Sequence, residues 1–179
     1  MSLTRFTPLT RSRLCIAGWH EGRHIATHPF ASFYRLFGYE MTPVLEAALA
    51  EFGNLLLCRP IPKPLPFQSR LRIFHRPLER PERIERLISP YLACGYTVHT
   101  TIEALNDLFM PSAGSQLIPF AAAPGWDDLW LMDAMGRVFL TTDLSWLGLI
   151  GENIDVAIDS LLSGRKTEMQ IFNTLDIEE

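Results

Sequence analysis

The stretch LWLMDAMGRVFLTT, residues 129–142, gives the clearest indication of the fold. Two mainly apolar segments, 129–132 and 138–142, flank residues 133–136, whose Asp-Ala-Met-Gly sequence has turn chemistry. The stretch therefore predicts a β-hairpin. A third apolar segment, 117–122, lies just upstream and predicts a further strand.

Two more strands are predicted earlier in the chain. Residues 55–58 form a short apolar run that is typical of a buried strand, and residues 70–75 alternate polar and apolar side chains with a period of two. Between them, every second residue of the segment 60–66 is proline. Because proline cannot donate a ladder hydrogen bond, we expect this segment to be an extended loop that is exposed or at a sheet edge.

Helices are predicted on both sides of these strands, from apolar residues at three- and four-residue spacing and from Thr-Pro starts and glycine ends. The predicted helices span residues 7–16, 30–37, 42–52, 81–92, 102–109 and 154–161. At the end of the third helix, Gly53 is expected to adopt the left-handed conformation. The pattern predicts a single α+β domain over residues 1–179, with a loosely held tail over about 165–179.

Composition places the chain among globular proteins. It has 179 residues, of which 47% are hydrophobic and 20% charged, enough to build one sizeable core. The first residues lack the apolar run of an export signal, and no apolar stretch approaches the ~18 residues of a membrane span. We therefore expect no membrane partner. The chain has three widely spaced cysteines, Cys15, Cys58 and Cys94, so we expect free buried thiols in a reducing cytoplasm.

The net charge of −4 is distributed unevenly along the chain. Residues 1–90 carry 13 Arg and Lys and 7 Asp and Glu, a balance of +6, whereas residues 91–179 carry 3 and 13, a balance of −10. Either the two populations interleave on a solvated surface, or the second half presents an acidic face that steers a cationic partner.

The usual catalytic and nucleotide-binding signatures are missing from the sequence, including the GxSxG, P-loop, GxGxxG and HExxH motifs. His20, His24 and His28 recur every four residues, as metal ligands on a helix would. Gly22 interrupts that run and Pro29 closes it, so we predict surface histidines, no metal site and no cofactor.

Residues 126–128 are the preferred candidates for a partner contact. Trp126 lies between Pro-Gly and an Asp pair, which predicts an exposed tryptophan able to anchor an interface. Asp127 and Asp128 could act as general acid and base, but such a pair beside a turn is more typical of a solvated loop. We expect both to be exposed and to bind a partner, together with Asp155 and Asp159 one turn apart on the last helix.

Several short segments, in order and spacing, resemble the SUKH superfamily and specifically its third immunity-protein subgroup. The resemblance covers about residues 9–165 and is carried by the segments 17–23, 51–55, 117–120, 133–139 and 154–164. It implies an α+β fold with a central, mainly antiparallel sheet flanked by helices. Two departures are Asn54, where the family has a second glycine after Phe-Gly, and the proline segment 60–66. Asparagine tolerates left-handed backbone, so the fold is compatible with the first departure.

The resemblance also implies a function. Many bacterial members neutralise toxins, often nucleases, by binding them directly, while other members are cellular regulators. We therefore expect a cytoplasmic immunity protein, monomeric or weakly dimeric, that binds a cognate and basic toxin and no nucleic acid. A regulator or scaffold of the same fold that binds a housekeeping partner is the alternative, and an enzyme is a third reading.

Overall fold

The computed structural model describes residues 5–36, 39–58, 70–73, 107, 109–110, 113–122, 129–142, 146–163 and 170–173. The elements in chain order are α1 (Pro8–Ile16), α2 (His28–Leu36), α3 (Pro43–Phe52), β1 (Leu56–Cys58), β2 (Arg70–Ile73), β3 (Ile118–Ala122), β4 (Leu129–Met132), β5 (Val138–Thr142), β6 (Trp146–Gly151), α4 (Ile154–Ser163) and β7 (Gln170–Asn173). The predicted helix at 81–92, the proline segment 60–66 and most of the predicted helix at 102–109 lie outside the described residues.

The seven described strands form one antiparallel sheet in which each strand pairs with the next along the chain. The hairpin of β4 and β5 is in the expected place, with Leu129 opposite Thr141 and Met132 opposite Val138. The α+β fold class is therefore confirmed.

Apolar side chains lie on both faces of this sheet. In β4, Trp130 and Met132 belong to a large core that the four helices also form, whereas Leu131 belongs to a second core on the opposite face. Phe109 and Leu117 supply the cover of that second face. Alternate side chains of β4 thus belong to two different cores, because both faces of the strand are buried.

The two Thr-Pro sequences begin helices as predicted. The Thr7 hydroxyl accepts a hydrogen bond from the Thr10 backbone N–H, and the Thr42 hydroxyl accepts one from the Leu45 N–H, each at 3.2 Å. In both helices the proline follows at the first position, where its missing N–H has no partner to lose. These caps fix where α1 and α3 start.

Three features differ from the sequence-based expectations. Residues 146–151 form β6, where no strand was expected from the sequence. The tail expected to be loosely held contains β7, which pairs with β6 and places Phe172 against the second core. Cys15 is exposed and not buried, because the inner side of α1 is occupied by Thr10 and Leu14.

The expectation for Gly53 is wrong. Its φ is −51°, and the left-handed residue is Asn54, with φ of 68°. Gly53 is needed for a different reason: a β-carbon there would lie 2.4 Å from the Leu49 carbonyl oxygen and 3.0 Å from the Ile25 side chain. The chain therefore leaves α3 through one residue that must be small and a second that tolerates positive φ.

We predict that Gly53→Ala lowers the free energy of unfolding by about 1–3 kcal/mol, because the new methyl group must displace backbone. Asn54→Gly should change it by about 0.5 kcal/mol or less, since glycine adopts the same conformation without strain. Urea denaturation of the two variants and the wild type measures both effects. Equal effects of the two substitutions would contradict the different roles of these neighbours.

Candidate functional site

A cluster of charged side chains joins the N-terminal segment to the ends of two helices. Arg5 donates to both oxygens of Glu51, from Nη1 to Oε1 at 2.6 Å and from Nη2 to Oε2 at 2.9 Å. The same guanidinium donates from Nε to Asp155 Oδ2 at 2.5 Å and from Nη2 to Oδ1 at 2.6 Å. We call these three residues the Arg5 clamp, which connects the end of α3 to the start of α4.

The clamp lies against the main core. The Arg5 guanidinium stacks on the Phe6 and Phe52 rings, 5.0 and 5.5 Å from their centroids, and the Trp19 indole N–H donates to Glu51 Oε1 at 3.0 Å. Hydrogen bonding to Asp155 is the main cause that raises the pKa of Arg5 above its ordinary value, against the opposing effect of burial. The Arg5 guanidinium thus bonds to both carboxylates while it lies against the two aromatic rings.

Asp155 and Asp159 are consequently not the fully exposed residues that the sequence predicted. The Asp155 side chain is 28% exposed and paired with Arg5, and Asp159 is half-buried and accepts a hydrogen bond from the Thr7 backbone N–H at 3.1 Å. Both tie α4 to the segment that leads into α1. At these positions the basic first half and the acidic second half of the chain interleave, and the two carboxylates do not form a free acidic face.

Two of the segments that carry the family resemblance meet at the end of α3. The Arg23 guanidinium donates to the Glu51 carbonyl and, at 2.7 Å, to the Gly53 carbonyl. These carbonyls have no partner within the helix, so a cation there satisfies them and interacts favourably with the helix dipole. Burial lowers the pKa of Arg23, and the charge of Glu51 opposes that change. The segments 17–23 and 51–55 thus have a shared structural role.

A third such segment, 133–139, forms the turn between β4 and β5. Asp133 is fully buried, and its Oδ1 accepts hydrogen bonds from the backbone N–H groups of Met135 and Arg137, both at 2.9 Å. Its Oδ2 accepts from Arg137 Nε at 2.6 Å, and Arg137 Nη2 donates to the Ala113 carbonyl at 2.6 Å. The buried charge is paired and fully hydrogen-bonded, which is the condition for burying it without a large cost.

The remaining candidates are placed as follows. Trp126, Asp127 and Asp128 lie outside the described residues. His20, His24 and His28 are exposed; the first two precede α2 and only the third belongs to it, so they do not share one helix face. Within the part of the chain that the structure describes, no three His, Cys, Asp or Glu residues are grouped as metal ligands would be. No helix among those residues is long and apolar enough to cross a bilayer.

The structure also reveals surface residues that the sequence reasoning did not select. Met135 at the tip of the β4–β5 turn is 76% exposed, and Val44 in the first turn of α3 is 40% exposed. Glu40 and Glu152 are exposed as well. The sequence feature that could have identified Met135 is the Ala-Met pair at the centre of a turn, where Asn, Asp, Gly or Ser is usual.

The family comparison covers most of the chain. A family model described as SUKH-3 immunity protein matches residues 6–164. No curated protein and no solved structure matches the chain.

We predict that Arg5→Met lowers the free energy of unfolding by about 1 kcal/mol, because Glu51 and Asp155 lose the hydrogen-bond donor that they share. Arg11→Met is the matched control, since Arg11 pairs with Glu21 at 3.0 Å between side chains that are 53% and 83% exposed and should contribute little. Urea denaturation at low salt checks both variants. If the two substitutions have equal effects, the Arg5 clamp does not hold the helix ends together.

Proposed function

The chain belongs to the SUKH-3 immunity protein family, and on that basis we propose that it binds and neutralises a bacterial toxin through direct protein–protein contact. The observation that carries the proposal is the match over residues 6–164, which includes α1 to α4 and β1 to β6. We further propose that the toxin is basic, that the complex forms in the cytoplasm, and that the chain acts without catalysis.

The roles of the charged side chains support binding over catalysis. Glu51, Asp133 and Asp155 each accept hydrogen bonds from an arginine. A general acid or base must exchange its proton with a substrate, whereas these groups hold helix ends and a turn. The segments typical of the family therefore maintain the fold, and the partner is left to contact the surface.

A basic toxin follows from the chemistry of its target. A nuclease must present positive charge to hold phosphates, so an inhibitor with exposed carboxylates can cover that charge and gain fast, steered association. The second half of the chain has a balance of −10, although Asp133 and Asp155 use their charge internally. An exposed carboxylate such as Glu152 remains available for steering.

The first experiment uses the products of the genes that flank the gene for this chain, one of which we expect to contain the toxin domain. We expect co-expression of the chain to restore growth of bacteria that produce the toxin domain, and the two purified proteins to form a stoichiometric complex. An immunity protein of another subgroup, expressed at the same level, is the control and should not rescue growth. A chain that neither rescues growth nor binds the toxin domain, yet is needed for growth in its own host, would instead be a regulator of the same fold.

The second experiment tests the contact residues proposed from the sequence. Asp127→Asn with Asp128→Asn should slow association with the toxin domain at low salt and lose this effect at high salt, because exposed charges are screened beyond ~8–10 Å. Asp107→Asn is the control for an exposed carboxylate elsewhere. Trp126→Ala should instead speed dissociation at both salt concentrations, with a loss on the order of 2 kcal/mol.

These rates are measured by surface-based or stopped-flow binding. Unchanged association of the double Asp variant at low salt would mean that this pair is only solvated surface. We also propose that Asp155 and Asp159 contact the toxin through the parts of their side chains that are exposed. Substituting either residue should reduce stability as well as the rate of association, because both hold α4 to the segment before α1.

A further inference from the structure

The turn between β4 and β5 has a fixed backbone. The Met135 N–H is bound to the buried Asp133 carboxylate at 2.9 Å, and the Gly136 N–H is bound to the Asp133 carbonyl at 3.1 Å. Gly136 has φ of 87°, a conformation that glycine adopts without strain. The position of residue 135 is therefore set before any partner arrives, so a partner contact there costs little ordering of the backbone.

The side chain at this fixed position is apolar and faces solvent. Met135 is 76% exposed, and the turn that carries it packs on Val44: a β-carbon at Gly136 would lie 2.6 Å from Val44 Cγ1. Val44 is itself 40% exposed. A methionine exposed at a turn adds nothing to the core, while its flexible thioether side chain fills irregular hollows in a partner well.

An exposed carboxylate lies at the same end of the sheet as this turn. Gly151 pairs with Val138, so Glu152 follows directly at the end of the sheet where the turn is found. Arg137, which follows Gly136, is engaged by Asp133 and by the Ala113 carbonyl. The described residues therefore place an exposed carboxylate at the end of the sheet that carries the apolar pair.

We propose that Val44, Met135 and Glu152 form a contact surface for the basic toxin, in addition to the contacts proposed above, with Met135 inserted into an apolar hollow of the toxin. We call this surface the turn platform. The inference rests on the proposed function and names a site for it. An apolar centre supplies most of the binding energy of a contact, and a carboxylate beside it matches Lys and Arg around a phosphate-binding cleft.

The test compares Met135→Ser and Glu152→Gln with matched controls at the other end of α3. Ile16 is 84% exposed, and Glu21 lies between Trp19 and Arg23, which both contact the end of α3. That end is about 10 Å along the helix from Val44. Ile16→Ser and Glu21→Gln therefore make the same chemical changes away from the turn platform.

Binding of each variant to the toxin domain is measured at two salt concentrations. Met135→Ser should raise Kd at least about tenfold through faster dissociation, at both salt concentrations. Glu152→Gln should slow association about two- to fivefold at low salt only. The two control variants should stay within about twofold of the wild type, and all four should keep the wild-type thermal midpoint because each residue is largely exposed.

Each outcome decides the question. If the wild type binds and Met135→Ser behaves like Ile16→Ser, the turn platform is not the contact surface, while the proposed function stands. If the wild type does not bind the toxin domain, both inferences fall. If the wild type sediments as a dimer and Met135→Ser sediments as a monomer, a second copy of the chain occupies the surface and the assignment to the toxin is overturned.

Discussion

Burial of both faces of the β4–β5 hairpin is the constraint around which the other elements are arranged. Trp130 and Met132 must be covered on one side of the sheet and Leu131 and Phe139 on the other. The helices cover the first side, and Phe109, Ala113 and Leu117 together with Phe172 contribute to covering the second. Covering both sides stabilises the fold, because the hydrophobic free energy of folding is roughly proportional to the apolar area removed from water.

Polar groups then determine how the helices are held on that sheet. The Arg5 guanidinium reaches two carboxylates at once, which only a planar group with several donors can do in one geometry. Arg13 and Arg23 donate to carbonyls at the ends of α4 and α3. Arginines of the first half of the chain thus satisfy acceptors from distant segments, and the Arg5–Asp155 ion pair joins the basic first half to the acidic second half.

The residues that hold the fold together differ from those that are exposed to a partner. The segments typical of the family contain the residues that are buried or bonded internally, such as Asp133, Arg23 and Glu51. A partner is left the exposed side chains that these elements carry, such as Met135 in the turn between β4 and β5, where substitution leaves the core intact.

The sequence by itself determined the local structure: the Thr-Pro starts of α1 and α3, the β4–β5 hairpin and the α+β class all depend on neighbouring residues. Asn54 was also recognisable as a residue that tolerates left-handed backbone. The roles of Asp155 and Asp159 depended on residues far away in the chain, namely Arg5 and Thr7. The strands β6 and β7 likewise form because each supplies the other's hydrogen bonds. Only the tertiary structure could decide these roles and strands, because exposure, charge pairing and strand pairing depend on which segments meet. The periodicity within one segment does not identify the segment that it pairs with.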